Sequence, residues 1–356
     1  MPIAQLQMLR KDVREFVENF QKLQIELAIQ YAMKFAPEMM QIWPKVAVNN
    51  EKAMKRQATV ADLWTVLSKD EMVIVAKSLR HVLNQITTHA LKKNPLPANI
   101  RLEKVDAGGV PSEFQTAPGA AKDRVMLFFH GGGMVVGSIH DHRPLSVALG
   151  IATNMRVLSV DYRLAPENPF PASIEDGTAA YEWLLTQGFY PKNIIIAGDS
   201  AGGTITLATI LNLRKKGIPF PRGAVCISPA VDYTNMPDSA YTNALTDPML
   251  ADVGLFWWII AYLGVEKPTD PANPLVSPLL GDFHGFPPLL VQATSAEILF
   301  EGCQMLVQKA LGAGVDVTLQ TWDGLTHVWQ LYALGILPEA QEAINKIGDW
   351  VRNLFA

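Results

Sequence analysis

Between positions 100 and 322 short apolar runs alternate with longer stretches in which apolar residues recur every three or four positions. Short runs rich in β-branched residues and bounded by turn residues read as strands, whereas the three-and-four spacing marks one face of a helix. Strands are predicted over 100–106, 113–115, 125–129, 156–160, 193–197, 223–228, 288–293 and 315–321, and helices over 173–186, 204–215 and 338–353. Alternation of this kind predicts a mostly parallel eight-stranded sheet with helices on both faces and any active site at the carboxyl ends of the strands.

The first 95 residues follow a different pattern, rich in helix formers and free of strand alternation. Leu6, Leu9, Val13, Phe16, Phe20, Leu23 and Leu27 form a single apolar stripe. A second helix opens at Ser68-Lys69-Asp70-Glu71, a capping-box pattern, and carries Met72, Val75, Leu79, Val82 and Ile86 on one side. Pro37, Pro44 and Pro95 read as punctuation. The division expected is a helical cap region over 1–95 and a main domain over 96–356, with a further cap insertion near 235–275. Packing over the sheet is the favoured role for the stripe; a homodimer face and contact with a membrane surface are the alternatives. The insertion carries Phe256, Trp257, Trp258 and Tyr262, which either fill core or line an apolar substrate pocket.

Candidate chemistry begins at Gly198-Asp199-Ser200-Ala201-Gly202, which links a predicted strand to a predicted helix. A serine at such a sharp turn presents its hydroxyl, and the glycines two positions either side avoid collisions. Ser200 is therefore the candidate nucleophile, and Asp199 beside it is read as structural because neighbouring side chains on a tight elbow point apart. Upstream, His130-Gly131-Gly132-Gly133 follows a strand, where bare backbone N–H groups can converge on a developing oxyanion. The N–H groups of Gly131, Gly132 and Ala201 are assigned to that hole, with His130 organising the loop.

A serine nucleophile needs a base held by a carboxylate, and on a strand–elbow–helix scaffold these follow in the order serine, acid, histidine. Only His284 and His327 of the seven histidines lie beyond Ser200. His327 follows a strand and can reach the elbow, whereas His284 precedes one and reads as a surface residue. Glu297 is the first carboxylate after the preceding strand and is the favoured acid; Glu301 and Asp323 are its rivals.

These pieces resemble the hormone-sensitive-lipase-like esterases of the α/β-hydrolase fold. The resemblance is carried by His130-Gly131-Gly132-Gly133, Asp161-Tyr162-Arg163-Leu164-Ala165-Pro166-Glu167, Pro169-Phe170-Pro171-Ala172, Gly198-Asp199-Ser200-Ala201-Gly202-Gly203 and Gly324-Leu325-Thr326-His327. It implies an α/β-hydrolase with a helical cap, and a carboxylesterase that works through an acyl-enzyme without a cofactor. It also implies a scaffolding role for Asp161, Arg163 and Glu167. Many members carry Asp-Pro-Leu where this chain has Glu297-Ile298-Leu299; either acid can orient a histidine. The aromatics of the insertion point to small-molecule esters of short to medium acyl chain. The same residues also support hydrolysis of amides, carbamates or thioesters, and a scaffold of this kind can serve as a non-catalytic small-molecule receptor.

Composition narrows the partners. With 356 residues, 49% of them hydrophobic, the chain can bury a large core, and a net charge of −4 gives no basic footprint for nucleic acid. The longest apolar run, 255–263, is too short to span a bilayer, so no stable membrane insertion is expected. Two isolated cysteines, Cys226 and Cys303, suit core positions in a reducing compartment, and the N-terminal residues lack the basic-then-apolar pattern of a signal peptide, so a cytoplasmic location is expected. His140-Asp141-His142 has metal-ligand residue types but no companions at useful spacing, so no metal is expected.

Overall fold

A computed structural model describes residues 9–35, 37–54, 66–235, 237–250 and 255–356. Its strands are β1 (Arg101–Asp106), β2 (Pro111–Thr116), β3 (Ala121–Phe129), β4 (Met155–Val160), β5 (Ile194–Asp199), β6 (Gly223–Ile227), β7 (Leu289–Thr294) and β8 (Val317–Trp322). The helices are α1 (Lys11–Phe35), α2 (Met39–Met54), α3 (Lys69–Lys93), α4 (Ile139–Thr153), α5 (Ala172–Thr186), α6 (Ala201–Lys216), α7 (Ser239–Thr242), α8 (Leu255–Leu263), α9 (Phe300–Gly312), α10 (Trp329–Tyr332) and α11 (Pro338–Leu354).

All eight strands join one sheet in the order β1-β2-β4-β3-β5-β6-β7-β8. β2 runs antiparallel to both neighbours and the strands from β4 through β8 pair in parallel. Successive side chains of a strand go to opposite faces. Thus Val125, Leu127, Phe129, Ile194 and Ile196 pack against α5, α6 and α9, while Met126, Phe128, Ile195 and Ala197 pack against α4 and α11. Coverage on both faces explains why β5 is continuously apolar from Ile194 to Ala197. β1 is the opposite case: an edge strand, mostly exposed and carrying Arg101, Glu103, Lys104 and Asp106, charges that discourage pairing with another sheet.

The N-terminal helices are clamped onto this body by two kinds of contact. Leu9, Val13 and Phe16 bury against Leu325, Trp329 and Leu337, and Met39, Ile42, Val46, Met72 and Val75 share a cluster with Val135, Trp257 and Ile260. The Leu6 position of the predicted stripe lies outside the described residues. Arg80 of α3 supplies the polar clamp: its Nε donates to the Val135 carbonyl at 2.7 Å, Nη2 to the Ala165 carbonyl at 2.8 Å, and both terminal nitrogens to the Glu167 carboxylate at 2.8 Å. Burial works against the Glu167 carboxylate, but the bond to Arg80 outweighs it and holds its pKa below the ordinary value.

Pro44 departs from the expected punctuation, because it lies inside α2. Pro44 and Met40 are both exposed, so water can satisfy the Met40 carbonyl that proline leaves without an N–H. Among the described residues, no helix is long and apolar enough to cross a membrane.

The capping box of α3 forms as its sequence predicts: the Glu71 N–H donates to Ser68 Oγ at 3.2 Å, and the Ser68 N–H donates to the Glu71 carboxylate at 2.9 Å. Ser68→Ala is expected to lower stability by about 1 kcal/mol, and Ser68→Gly by only a few tenths. Urea midpoints at constant m-value check this; an alanine variant as stable as the parent overturns it.

Candidate active site

β5 ends at Asp199, α6 begins at Ala201, and Ser200 makes the turn between them with φ 52° and ψ −119°. Its N–H is anchored to the Ile227 carbonyl at 2.7 Å. The turn packs so closely that a Cβ added at Gly202 would lie 2.0 Å from the Phe129 carbonyl oxygen. Ala201 is the first residue of α6, where helical geometry leaves an N–H without an intrahelical partner.

Register places the end of β3 beside the elbow, with Phe129 opposite Gly198. The loop that follows is held from behind by buried polar groups. His130 stacks on Tyr162 at 4.2 Å, and its Nδ1 donates to the Gly131 carbonyl at 2.7 Å. Burial pushes the His130 pKa down to about 3, so this ring is neutral. The Tyr162 hydroxyl donates to the His130 carbonyl at 2.7 Å. These contacts suit a loop-organising role.

Asp199 proves to be a structural acid with two jobs. Its Oδ1 accepts the Gly131 N–H at 3.1 Å, and its Oδ2 lies 3.3 Å from His142 Nε2. Burial disfavours the His142 imidazolium, but the Asp199 charge outweighs it and the pKa is raised. The bond to Asp199 corrects the expectation for Gly131, because its N–H is already engaged and points at a carboxylate. Among the described residues the N–H groups of Gly132 and Gly133 make no hydrogen bond. A side chain at Gly133 is excluded, since its Cβ would sit 1.9 Å from the Trp258 ring.

His327 lies in the loop after β8, and Glu297 in the loop after β7. His327 Nδ1 and Glu297 Oε2 are 2.5 Å apart, both groups being almost fully buried. The other Glu297 oxygen accepts from Ser228 Oγ at 2.9 Å and the Thr294 N–H at 3.1 Å. The rival acids are held elsewhere: Glu301 accepts the Ser239 N–H at 3.0 Å, and exposed Asp323 accepts from Ser295 Oγ at 2.7 Å. His284 is on the surface, paired with Asp282 at 2.7 Å.

A second buried acid stands behind this pair. Asp247, 0% exposed, accepts the N–H groups of Met249 and Leu250 at 3.1 Å on one oxygen and that of Ile298 at 3.0 Å on the other. Asn243 Nδ2 adds bonds of 2.9 Å to the Ser295 and Glu297 carbonyls. The insertion is thus stapled to the loop that carries Glu297. Sequence reasoning missed Asp247 because Asp-Pro reads locally as a turn signal, and its partner at Ile298 is distant in the chain.

Ser200 and His327 open onto one cavity of about 80 Å³, walled also by Gly132, Val136, Trp258, Met249, Phe20 and Tyr332. Of the aromatics expected in the pocket, Trp258 alone among those with described side chains lines this cavity. Trp257 is buried in the cluster under α2 and α3. Tyr262 is buried in the main core, edge-on to Phe170 at 6.0 Å. Trp257 is turned about 100° from Trp258 around the helix axis, and Tyr262 lies one turn further along the axis, so neither reaches the cavity that Trp258 lines. Phe256 belongs to α8, and its side chain lies outside the described residues. The side chains of the His140-Asp141-His142 stretch diverge: His140 meets Thr88 at 3.2 Å, Asp141 accepts from Ser138 at 2.8 Å, and His142 faces Asp199. Among the described residues no three His, Cys, Asp or Glu side chains are grouped to hold a metal ion.

Residues 126–331 match the family model described as the alpha/beta hydrolase fold. The chain is 42% identical over 235 residues to an acetyl-hydrolase of Streptomyces hygroscopicus, covering 66% of this chain and 77% of that protein. It is 33% identical over 290 residues to an esterase of Acinetobacter venetianus, covering 82% and 93%. A crystal structure of an esterase from the bacterial hormone-sensitive lipase family superposes with a TM-score of 0.74 at 38% identity, over 90% of this chain and 99% of that one. With the elbow, the glycine loop and the buried histidine on one sheet edge, the chain belongs to the α/β-hydrolase-fold family, within its hormone-sensitive-lipase-like esterases.

Proposed function

We propose that this protein hydrolyses carboxylic esters of short to medium acyl chain through an acyl-enzyme on Ser200, with His327 as base and Glu297 as the acid that orients it. The observation that carries the proposal is the 2.5 Å contact between His327 and Glu297 in the loops beside a serine held at positive φ. Glu297 fixes Nδ1 of the imidazole, which leaves Nε2 to take the Ser200 proton as the oxygen attacks the ester carbonyl. The N–H groups of Gly132, Gly133 and Ala201 are the donors for the resulting oxyanion. The imidazolium then protonates the leaving alcohol, and water repeats the cycle to release the acid and free serine. The names of the relatives, esterase and acetyl-hydrolase, agree with this chemistry, and a cavity of about 80 Å³ at the nucleophile suits a small acyl group. Two buried free thiols, Cys226 and Cys303, fit a cytoplasmic setting.

An organophosphonate probe is expected to add once, at Ser200, because only an activated hydroxyl attacks phosphorus quickly. Ser200→Ala should lose both the adduct and turnover. Glu297→Gln should lower kcat by roughly 10⁴-fold with little change in KM, whereas Glu301→Gln and Asp323→Asn should have small effects. Intact mass and ester kinetics check these; a folded wild-type protein that takes up no adduct favours a receptor, and a crippled Glu301→Gln beside an active Glu297→Gln moves the acid.

Asp247 acts in this scheme on the base. Burial is the largest influence on the His327 pKa and lowers it, but the bond to Glu297 and the charges of Glu297, Asp247 and Asp199 outweigh burial and raise it above 6.5. The neutral ring is the active form, so the acid limb of kcat/KM should fall above pH 6.5. Burial raises the Asp247 pKa to about 6, so Asp247 is charged where the base works. Asp247→Asn removes a charge that favours the imidazolium, and the acid limb should move to lower pH. A profile unmoved in a folded Asp247→Asn variant, or one moved upward, overturns this role.

A further inference from the structure

Three side chains of the catalytic cavity, Phe20, Leu83 and Tyr332, also line a second and far larger space. It is an open groove of about 1300 Å³ between α1 and α3 on one side and α4 with the 331–337 segment on the other. Leu23, Ile86, Val147 and Leu331 give it an apolar lining. Asp12, Lys22, Glu26 and Lys93 line it as well, and all four are exposed.

We propose that this groove binds the alcohol moiety of the substrate, so that the preferred esters join a short acyl group to a bulky, largely apolar alcohol. This rests on the esterase function above. Small-molecule sites commonly enclose about 300–1,000 Å³; the open groove of about 1300 Å³ exceeds that range and has room for such a ligand, whereas the cavity of about 80 Å³ at Ser200 falls well below it.

The leaving oxygen must come within hydrogen-bond reach of His327 to collect its proton. Val328 and Tyr332, in the segment that follows His327, line the catalytic cavity, and Tyr332 continues into the groove wall. A chain attached to the leaving oxygen is therefore led toward the groove. On the oxyanion side Trp258 packs onto Gly133 and limits room for a long substituent there. The exposed charged residues along the groove leave a long alcohol free to end in a polar group.

The test compares two ester series on the full-length protein. In one, acetates of linear alcohols run from ethyl to octyl; in the other, p-nitrophenyl esters run from acetate to octanoate. The value of kcat/KM should climb with alcohol length by up to roughly fourfold per methylene, while the acyl series should gain nothing beyond butanoate. Ala90→Trp and Ala148→Phe each place bulk in the groove, on α3 and α4, outside the residues that line the catalytic cavity. Each should reduce the octyl-to-ethyl ratio of kcat/KM by roughly tenfold or more, the scale on which a filled pocket rejects added methylenes. Ala90 is exposed, so that variant keeps the test valid should Ala148→Phe disturb packing. A flat alcohol series, or an unchanged ratio in folded Ala90→Trp, overturns the proposal. An acyl series that rises with length and is cut back by Ala90→Trp also overturns it, by giving the groove to the acyl chain. Failure to hydrolyse even ethyl and p-nitrophenyl acetate overturns the esterase function itself and the inference with it.

Discussion

The backbone of Ser200 is the constraint around which the other parts are arranged. A non-glycine residue at φ 52° is disfavoured and persists only where its surroundings over-determine it. Here the Ser200 N–H is tied to β6 through the Ile227 carbonyl, and the first turn of α6 is pressed against the end of β3. The absence of a side chain at Gly202 is what lets the Phe129 carbonyl approach. The same close approach sets the glycine loop beside the serine, so one tight turn fixes the positions of both Ser200 and the glycine loop.

Charge burial around that turn follows a consistent rule. Asp199, Asp247 and Glu297 are all almost entirely buried and each accepts at least one backbone N–H group, and Asp199 and Glu297 also face a histidine. Backbone donors offset the desolvation that an isolated carboxylate would suffer. They also direct each acid. Asp199 is turned toward His142 and the glycine loop, whereas Glu297 is turned toward His327. Two aspartate-or-glutamate and histidine pairs thus stand within one site, one behind the loop and one beside the cavity, and their neighbours separate their roles.

How much of this was legible in the sequence depended on the range of the interactions involved. The strands and main helices of the sheet followed from periodicity, because a parallel sheet buried on both faces imposes a local signature. The placement of Gly198, Ser200, Glu297 and His327 at or just after the carboxyl ends of β5, β7 and β8 was legible, since strand ends fix where their loops emerge. Gly131 was misassigned for a tertiary reason: its N–H direction depends on the Asp199 carboxylate, which the pentapeptide pattern does not reveal. Trp257 and Tyr262 were misassigned because composition identified an aromatic helix but gave neither its rotation, which turns Trp257 into the cluster under α2 and α3, nor its position along the axis, which sets Tyr262 a turn beyond the cavity. Asp247 was invisible, since its three N–H partners belong to two segments far apart in the chain.

The candidate catalytic groups and the walls of the cavity beside them come from different parts of the molecule. Ser200, Glu297, His327 and the glycine loop all sit at the carboxyl ends of sheet strands, whose register is fixed by a continuous core. The walls beyond them come from α1, α3 and the insertion, joined to the sheet by apolar clusters, the Asp247 staple and the Arg80 clamp. Arg80 grips Val135 and Ala165 by their carbonyls, so the position of α3 is referred directly to the segment that follows the glycine loop. A shift of α3 would change the cavity wall at Leu79, Val82 and Leu83 without altering the 2.5 Å contact between His327 and Glu297. Substitutions on these helices can therefore change which ester fits while the sheet-borne groups keep their geometry, a division of labour that follows from where each wall is anchored.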